Sequence, residues 1–130
     1  MMTVPRQAGP IRLFMILEAG AFMTAALIHF GVLIHGYEHL KAGTAESVIA
    51  VVLLVGLAAA WMGPGSIRSV GLAAQAFALL GTLVGILTIA IGVGPRTVPD
   101  VLYHVAIVVV LVSGLIAAMR APFNETRRRA

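Results

Sequence analysis

Four long apolar runs, separated by short polar or Gly/Pro-rich breaks, organise the chain. The first opens at Arg12 and runs from Leu13 to about Ile34, interrupted only by Glu18 and His29. Gly36–Ser47 is polar enough to be a loop, and the second run covers Val48–Met62, lengthened to a short span when counted from Glu46. Gly63-Pro64-Gly65-Ser66 is the strongest breaker in the chain, since both residue types interrupt regular structure. Val70–Val93 is the cleanest run, with Gln75 its only strongly polar residue; Gly94-Pro95-Arg96-Thr97-Val98-Pro99 forms the next turn, and the last run covers about Asp100–Met119. A core helix of a soluble protein shows a polar face every 3.6 residues. These runs are apolar all round, so lipid is their natural solvent.

The pattern predicts an all-α polytopic membrane protein, four transmembrane helices in an antiparallel bundle. The expected spans are 12–35, 46–62, 69–93 and 99–119, inside a transmembrane domain 12–120 that follows an N-terminal segment 1–11 and precedes a basic tail 121–130. Two helix starts carry their own chemistry. Thr97-Val98-Pro99-Asp100 has capping-box spacing, with proline tolerated in the first turn. Thr44-Ala45-Glu46-Ser47 offers an N-cap hydroxyl and a carboxylate near the positive helix end.

Composition agrees with the pattern. Apolar residues make up 60% of the 130 and charged ones 11%, against about 45–50% and about 25% in soluble domains. A soluble enzyme, a nucleic-acid binder and a disordered chain are excluded on this balance. With no cysteine, disulfides, thiolate ligands, iron–sulfur clusters and cysteine nucleophiles are excluded as well. The net charge of +4 is informative through its placement. With four spans, one side holds Arg6, Arg12, Arg68, Arg120, Arg127, Arg128 and Arg129, and the other Lys41 and Arg96. Basic residues favour the cytoplasmic side, so both termini are expected there, in a bacterial inner membrane. Arg127–Arg129 then reads as a lipid-headgroup anchor and not a nucleic-acid site. A cleaved signal peptide is not expected: cleavage near Ala25 would remove Glu18 and leave an odd number of spans.

Small residues must help to pack helices in lipid. Ala74, Ala78, Gly81, Gly85, Thr88 and Gly92 form such a seam on the third span, and Gly114/Ala118 and Ser113/Ala117 repeat the spacing on the fourth. The seam serves either a contact inside the bundle or an interface to a second copy or a larger membrane complex. At an offset of 57, Val51–Val55 overlies Val108–Val112 and Glu18 overlies Gln75, which admits an internal duplication about an axis along the membrane normal.

Ionisable residues within spans are costly and are candidate functional groups by default. Glu18 lies six residues beyond Arg12 and Gln75 seven beyond Arg68, so both sit about 9–10 Å into their helices. Either they share an interhelical hydrogen bond, with burial favouring the neutral acid, or Glu18 carries a proton or contacts a ligand. On the opposite side His29 and His104 are each about 9 Å inside their helix ends, at a matched depth. Nearer the surface lie His35, Glu38, His39 and Asp100; His35/His39 and Asp100/His104 are i,i+4 pairs. Imidazole and carboxylate ligands suit zinc or copper, and two histidines at matched depth suit axial ligation of a b-type haem. The competing reading makes the rim residues solvated and Asp100 a cap. His35-Gly36-Tyr37-Glu38-His39 also matches the zinc-peptidase string H-x-x-E-H, without the surrounding peptidase pattern. Tyr37, Tyr103 and Trp61 fall near expected interfaces, where amphipathic aromatics settle.

Arg12 at the entry of the first helix, Ala45-Glu46 opening the second and the four-span layout over most of Arg12–Met119 resemble the small bacterial four-helix membrane proteins of the DoxX-like group. The resemblance implies a quinone-linked or redox-accessory setting and carries over no catalytic residue; the histidines of His29–His39 depart from it. The leading expectation is an outward-facing pocket that binds a metal, haem or quinone, with His29, His104, Glu18 and Gln75 as cofactor-contacting groups. His35, His39, Asp100 and Glu38 are the candidate metal ligands. A non-catalytic subunit docked through its seam, or a proton or cation pathway, are the alternatives; an enzymatic activity is not indicated.

Overall fold

A computed structural model describes residues 8–122. They form α1 (Ala8–His29), α2 (Leu40–Met62), a 3-10 turn (Pro64–Ser66), α3 (Ile67–Ala90) and α4 (Val98–Arg120). The expected basic residues Arg6 and Arg127–Arg129 lie outside the described residues. At 1.5 Å per residue the helices are about 33–36 Å long, enough to cross a hydrocarbon core of about 30 Å, and all four are sufficiently apolar to do so. Large apolar side chains cover the outside, including Leu13, Leu17, Val55, Leu80, Leu87, Leu102, Val105 and Val109. The inside mixes small residues with a few large ones, such as Phe22, Met15, Leu53 and Leu111. Solvent-facing hydrophobes on every helix are what a lipid environment accommodates.

The seam of α3 is occupied within the bundle. Ala74 and Ala78 are buried; a Cβ on Gly81 would lie 2.7 Å from Ile49 Cδ1 of α2, and one on Gly85 would lie 3.0 Å from His104 Nε2 of α4. Gly56 of α2 answers from the other side, where a Cβ would meet Ala74 Cβ at 2.9 Å. These close approaches recover dispersion contact where no hydrophobic force drives helices together.

Helix boundaries depart from expectation at one place that matters. The first helix stops at His29 instead of running to position 35. Gly31 takes a positive φ of 71°, and its N–H and that of Val32 bond back to Ile28 and Leu27. This is the Schellman ending, which favours glycine because other residues are strained there. Gly92, with φ 84°, closes α3 in the same way, through Gly92 N–H to Ile89 and Val93 N–H to Thr88, so α3 ends short of the expected residue 93. The second helix starts six residues earlier than expected, at Leu40, and its N-cap is His39, whose side chain accepts from the Ala42 N–H. Thr44 is therefore not the cap; its hydroxyl donates back to the Leu40 carbonyl. The Thr97–Asp100 capping box forms as the sequence predicts.

Candidate functional site

The α1–α2 and α3–α4 connections lie at the same end of the bundle. The shortened α1 and lengthened α2 there bring three ionisable side chains together. His29 is the last residue of α1, Glu46 lies two turns into α2, and Asp100 sits in the first turn of α4. All three are buried, at 3%, 6% and 6% exposure. His29 Nδ1 lies 2.7 Å from Glu46 Oε2, and its Nε2 3.1 Å from Asp100 Oδ1. The imidazole thus bridges two carboxylates from two other helices.

Each member is held from behind. The His29 carbonyl accepts from the His39 N–H at 2.8 Å, and the His39 ring lies edge-on to the His29 ring, 6.4 Å between centroids. Asp100 Oδ2 accepts from the Thr97 N–H and from the Thr97 hydroxyl. The Asp100 carbonyl accepts from His104 Nδ1 at 2.7 Å. Glu46 shares the inward face of α2 with Gly43, Ile49, Ala50 and Leu53.

Two cavities flank this cluster. A cleft of about 340 Å³ opens between α1 and α4, walled by Gly20, Ala21, Thr24, Ala25 and Ile28, with His29, Asp100 and Tyr103 also lining it. A second, of about 170 Å³, lies among α2, α3 and α4 and touches Glu46, Thr82, Gly85, Thr88, Tyr103 and His104. Tyr103 borders both, its ring edge-on to Phe22 and to His104. The Tyr103 hydroxyl is buried and has no hydrogen-bond partner, an unusual state for a polar group out of water.

This arrangement redistributes the roles expected from sequence. His29 and His104 do reach one place, yet they do not face one another as an axial pair. Both nitrogens of His29 are taken by carboxylates, and His104 is tied to the Asp100 backbone. His35, His39, Glu38 and Asp100 do not converge either. With no helix through residues 30–39, the i,i+4 relation of His35 and His39 is lost, and with it the geometry of the H-x-x-E-H string. His35 instead pairs with Glu38 at 3.3 Å on the exposed loop, His39 caps α2 and Asp100 caps α4. Glu38 also accepts from the Gly36 N–H at 2.8 Å. Backbone N–H groups of Glu38 and Gly36, then His35, hold its carboxyl below the usual carboxylate range. Among the described residues no group of three or more His, Asp or Glu is arranged to hold a metal ion. The buried trio does not qualify because its carboxylates lie on opposite edges of the imidazole.

Glu18 and Gln75 meet in the interior, as their matched depth suggests, but not through the expected hydrogen bond. Both are fully buried, and neither Glu18 oxygen nor either polar atom of the Gln75 amide has a partner. Two groups central to the site carry little signal in the sequence. Glu46 reads there as a carboxylate at a helix start; the start at Leu40 sets it nearly two turns inside α2, on the buried face with Gly43, Ile49 and Leu53. Tyr103 reads as an interfacial aromatic.

Comparison with family models, with curated proteins and with solved structures returns no match for this chain. The site is therefore read from its own chemistry.

Proposed function

We propose that this protein binds a quinone-class lipid in the α1–α4 cleft, as a small redox-accessory protein of a bacterial inner membrane. The carrying observation is a cleft walled by small residues of α1 and bordered by Tyr103, whose buried hydroxyl has no partner, and by the Asp100–His29 pair. A quinone supplies what these groups want. Its carbonyl oxygen accepts from the Tyr103 hydroxyl, the hydroxyl of its reduced form donates to the Asp100 carboxylate, and its flat ring suits walls of glycine and alanine. The volume falls at the lower end of the range for small-molecule sites, and mostly apolar walls with few polar groups are their common character. Haem and metal are less well served, because the nitrogens of His29 are already engaged. The arginine distribution supports cytoplasmic termini, an orientation that turns this cleft toward the outer face. The DoxX-like resemblance agrees with a redox-accessory setting.

Calorimetric titration of the purified protein with a short-chain benzoquinone tests the reading. Saturable binding at one site per chain is expected. Tyr103→Phe removes one hydrogen bond, worth about 0.5–1.5 kcal/mol, so the affinity should fall about two- to tenfold. Ala21→Leu should block the cleft, while Val84→Ala, in the other cavity, should leave binding intact. Non-saturable uptake, or saturable binding that neither Tyr103→Phe nor Ala21→Leu alters, would overturn it.

A further inference from the structure

A second polar locus lies deeper in the bundle, nearer the end that carries the α2–α3 turn. Glu18 of α1 and Gln75 of α3 are both completely enclosed, and Gly114 of α4 faces them. A Cβ built on Gly114 would fall 2.0 Å from Gln75 Oε1 and 2.6 Å from Glu18 Oε1. The two oxygens therefore converge on the space that the missing side chain leaves. Four unpartnered polar atoms in one apolar interior are expensive, since each buried group without a hydrogen bond costs about 1–3 kcal/mol. Two acceptors pointed at one spot lack a shared hydrogen. A proton on Glu18 satisfies both at once: the acid O–H donates to Gln75 Oε1, and the charge that lipid disfavours disappears.

Among the described residues the arginines of α1 and α3 are engaged with other groups, and Arg120 lies six residues beyond Gly114 at the exposed end of α4. On α1 the nearest ionisable group is Arg12, six residues away or about 9 Å along the helix. It is engaged elsewhere: its Nη2 donates to the Ala60 carbonyl at 3.0 Å, and its guanidinium lies 5.5 Å from the Trp61 ring centre. On α3 Arg68 donates to the Ala118 and Met119 carbonyls. α2 presents Leu53, Gly56 and Leu57 from its buried face, and α4 presents Gly114 and Leu111.

We propose that Glu18, Gln75 and Gly114 form an exchangeable proton-binding site inside the bundle. Glu18 holds the proton, Gln75 orients it, and Gly114 supplies the room for both. The balance is simple: the carboxylate takes one proton from the aqueous phase, with no redox partner, and returns it there. This site is distinct from the quinone cleft, and neither reading depends on the other.

Infrared spectroscopy of the full chain in nanodiscs tests the proposal. At neutral pH a carbonyl band of a protonated carboxylic acid is expected. It should vanish in Glu18→Gln, persist in Glu46→Gln, and shift within minutes of transfer to D2O. In Gln75→Leu it should move to higher frequency as the acid loses its acceptor. Where Glu18→Gln fails to fold, 13C labelling of glutamate carboxyls in Glu46→Gln gives the same assignment by isotope shift. Absence of the acid band, or a band that does not shift in D2O, would overturn the site as one that binds and releases protons. An unmoved band in Gln75→Leu would overturn the role given to Gln75.

Discussion

His29 is the one group between two buried carboxylates, and its removal should cost far more than its packing. In His29→Leu the volume is nearly kept, but Glu46 Oε2 and Asp100 Oδ1 lose their partners at 2.7 and 3.1 Å. Removing one member of a buried charge pair costs about 3–5 kcal/mol, because the remaining charge stays desolvated and unpaired. Here two carboxylates are stranded by one substitution. A loss of about 3 kcal/mol or more is expected, roughly a hundredfold or more in the folding equilibrium. The triple variant His29→Leu, Glu46→Gln, Asp100→Asn carries the same ring deletion without the stranded charges. Neutral replacements of buried ion clusters are often tolerated, and Asn at position 100 still accepts from the Thr97 N–H. The triple variant should therefore regain a measurable part of the loss, because an unpaired neutral amide at position 46 costs about 1–3 kcal/mol, less than a stranded charge. Reversible unfolding in mixed micelles, with denaturing detergent titrated into a mild one, measures both. If the single variant loses less than 1 kcal/mol, or the triple is as unstable as the single, the loss is one of shape, and the electrostatic account of the cluster is wrong.

Three further outcomes follow from local geometry. Thr97→Ala should lower stability by about 0.5–2 kcal/mol in the same unfolding assay, by removing the α4 cap; an unchanged midpoint would mean that the capping box carries no weight. Gly31→Ala should cost more than about 1 kcal/mol, since φ is +71° and its Cβ would lie 2.9 Å from Glu38 Cγ; wild-type stability would remove the Schellman ending as the cause of the early stop. The Glu38 carboxyl is held below its usual range by backbone N–H groups first and by His35 last. Its contribution to loop order is fully present above the ordinary glutamate range and is lost as pH falls through the lowered value. The Gly36 amide proton resonance should thus titrate below ordinary glutamates, and a midpoint at or above them would refute the contact.

The span count was legible because lipid imposes one simple demand, apolar residues on all sides of a helix about twenty residues long. The same demand hid the α1–α2 connection. Val32, Leu33 and Ile34 are as apolar as any span residue, yet they are among the exposed residues of a loop. Gly31 was the available sign of an ending, but one glycine within an apolar run does not separate a stop from a packing site. Conversely, Lys41 and Thr44 made residues 40–45 look like loop, although they form the first turns of α2. Both errors displaced the same feature. With α1 too long and α2 too short, Glu46 stayed at a helix entrance and could not be paired with His29. The Thr97–Asp100 cap was legible because it is a strictly local pattern. The Glu18–Gln75 encounter was legible because depth counts reliably along straight helices.

Small residues in this bundle serve polar groups as well as helix packing. At Gly81 and Gly56 an added Cβ meets apolar side chains, Ile49 in one case and Ala74 and Met15 in the other. At Gly85 it meets the His104 ring, and at Gly114 it meets Gln75 and Glu18. An all-apolar seam could close fully on its neighbours and would leave no space for an imidazole or a carboxyl. Interrupting it with glycine beside polar side chains keeps that space without separating the helices, since neighbouring contacts at Ala74, Ala78 and Ala118 still close tightly. The two polar levels then differ in how they are completed. Around His29 the helices supply acceptors from two other elements, and the cluster is satisfied from within. Around Glu18 the two oxygens that face Gly114 are both acceptors, the Gln75 amide N–H groups have no partner either, and the level is left unsatisfied from within.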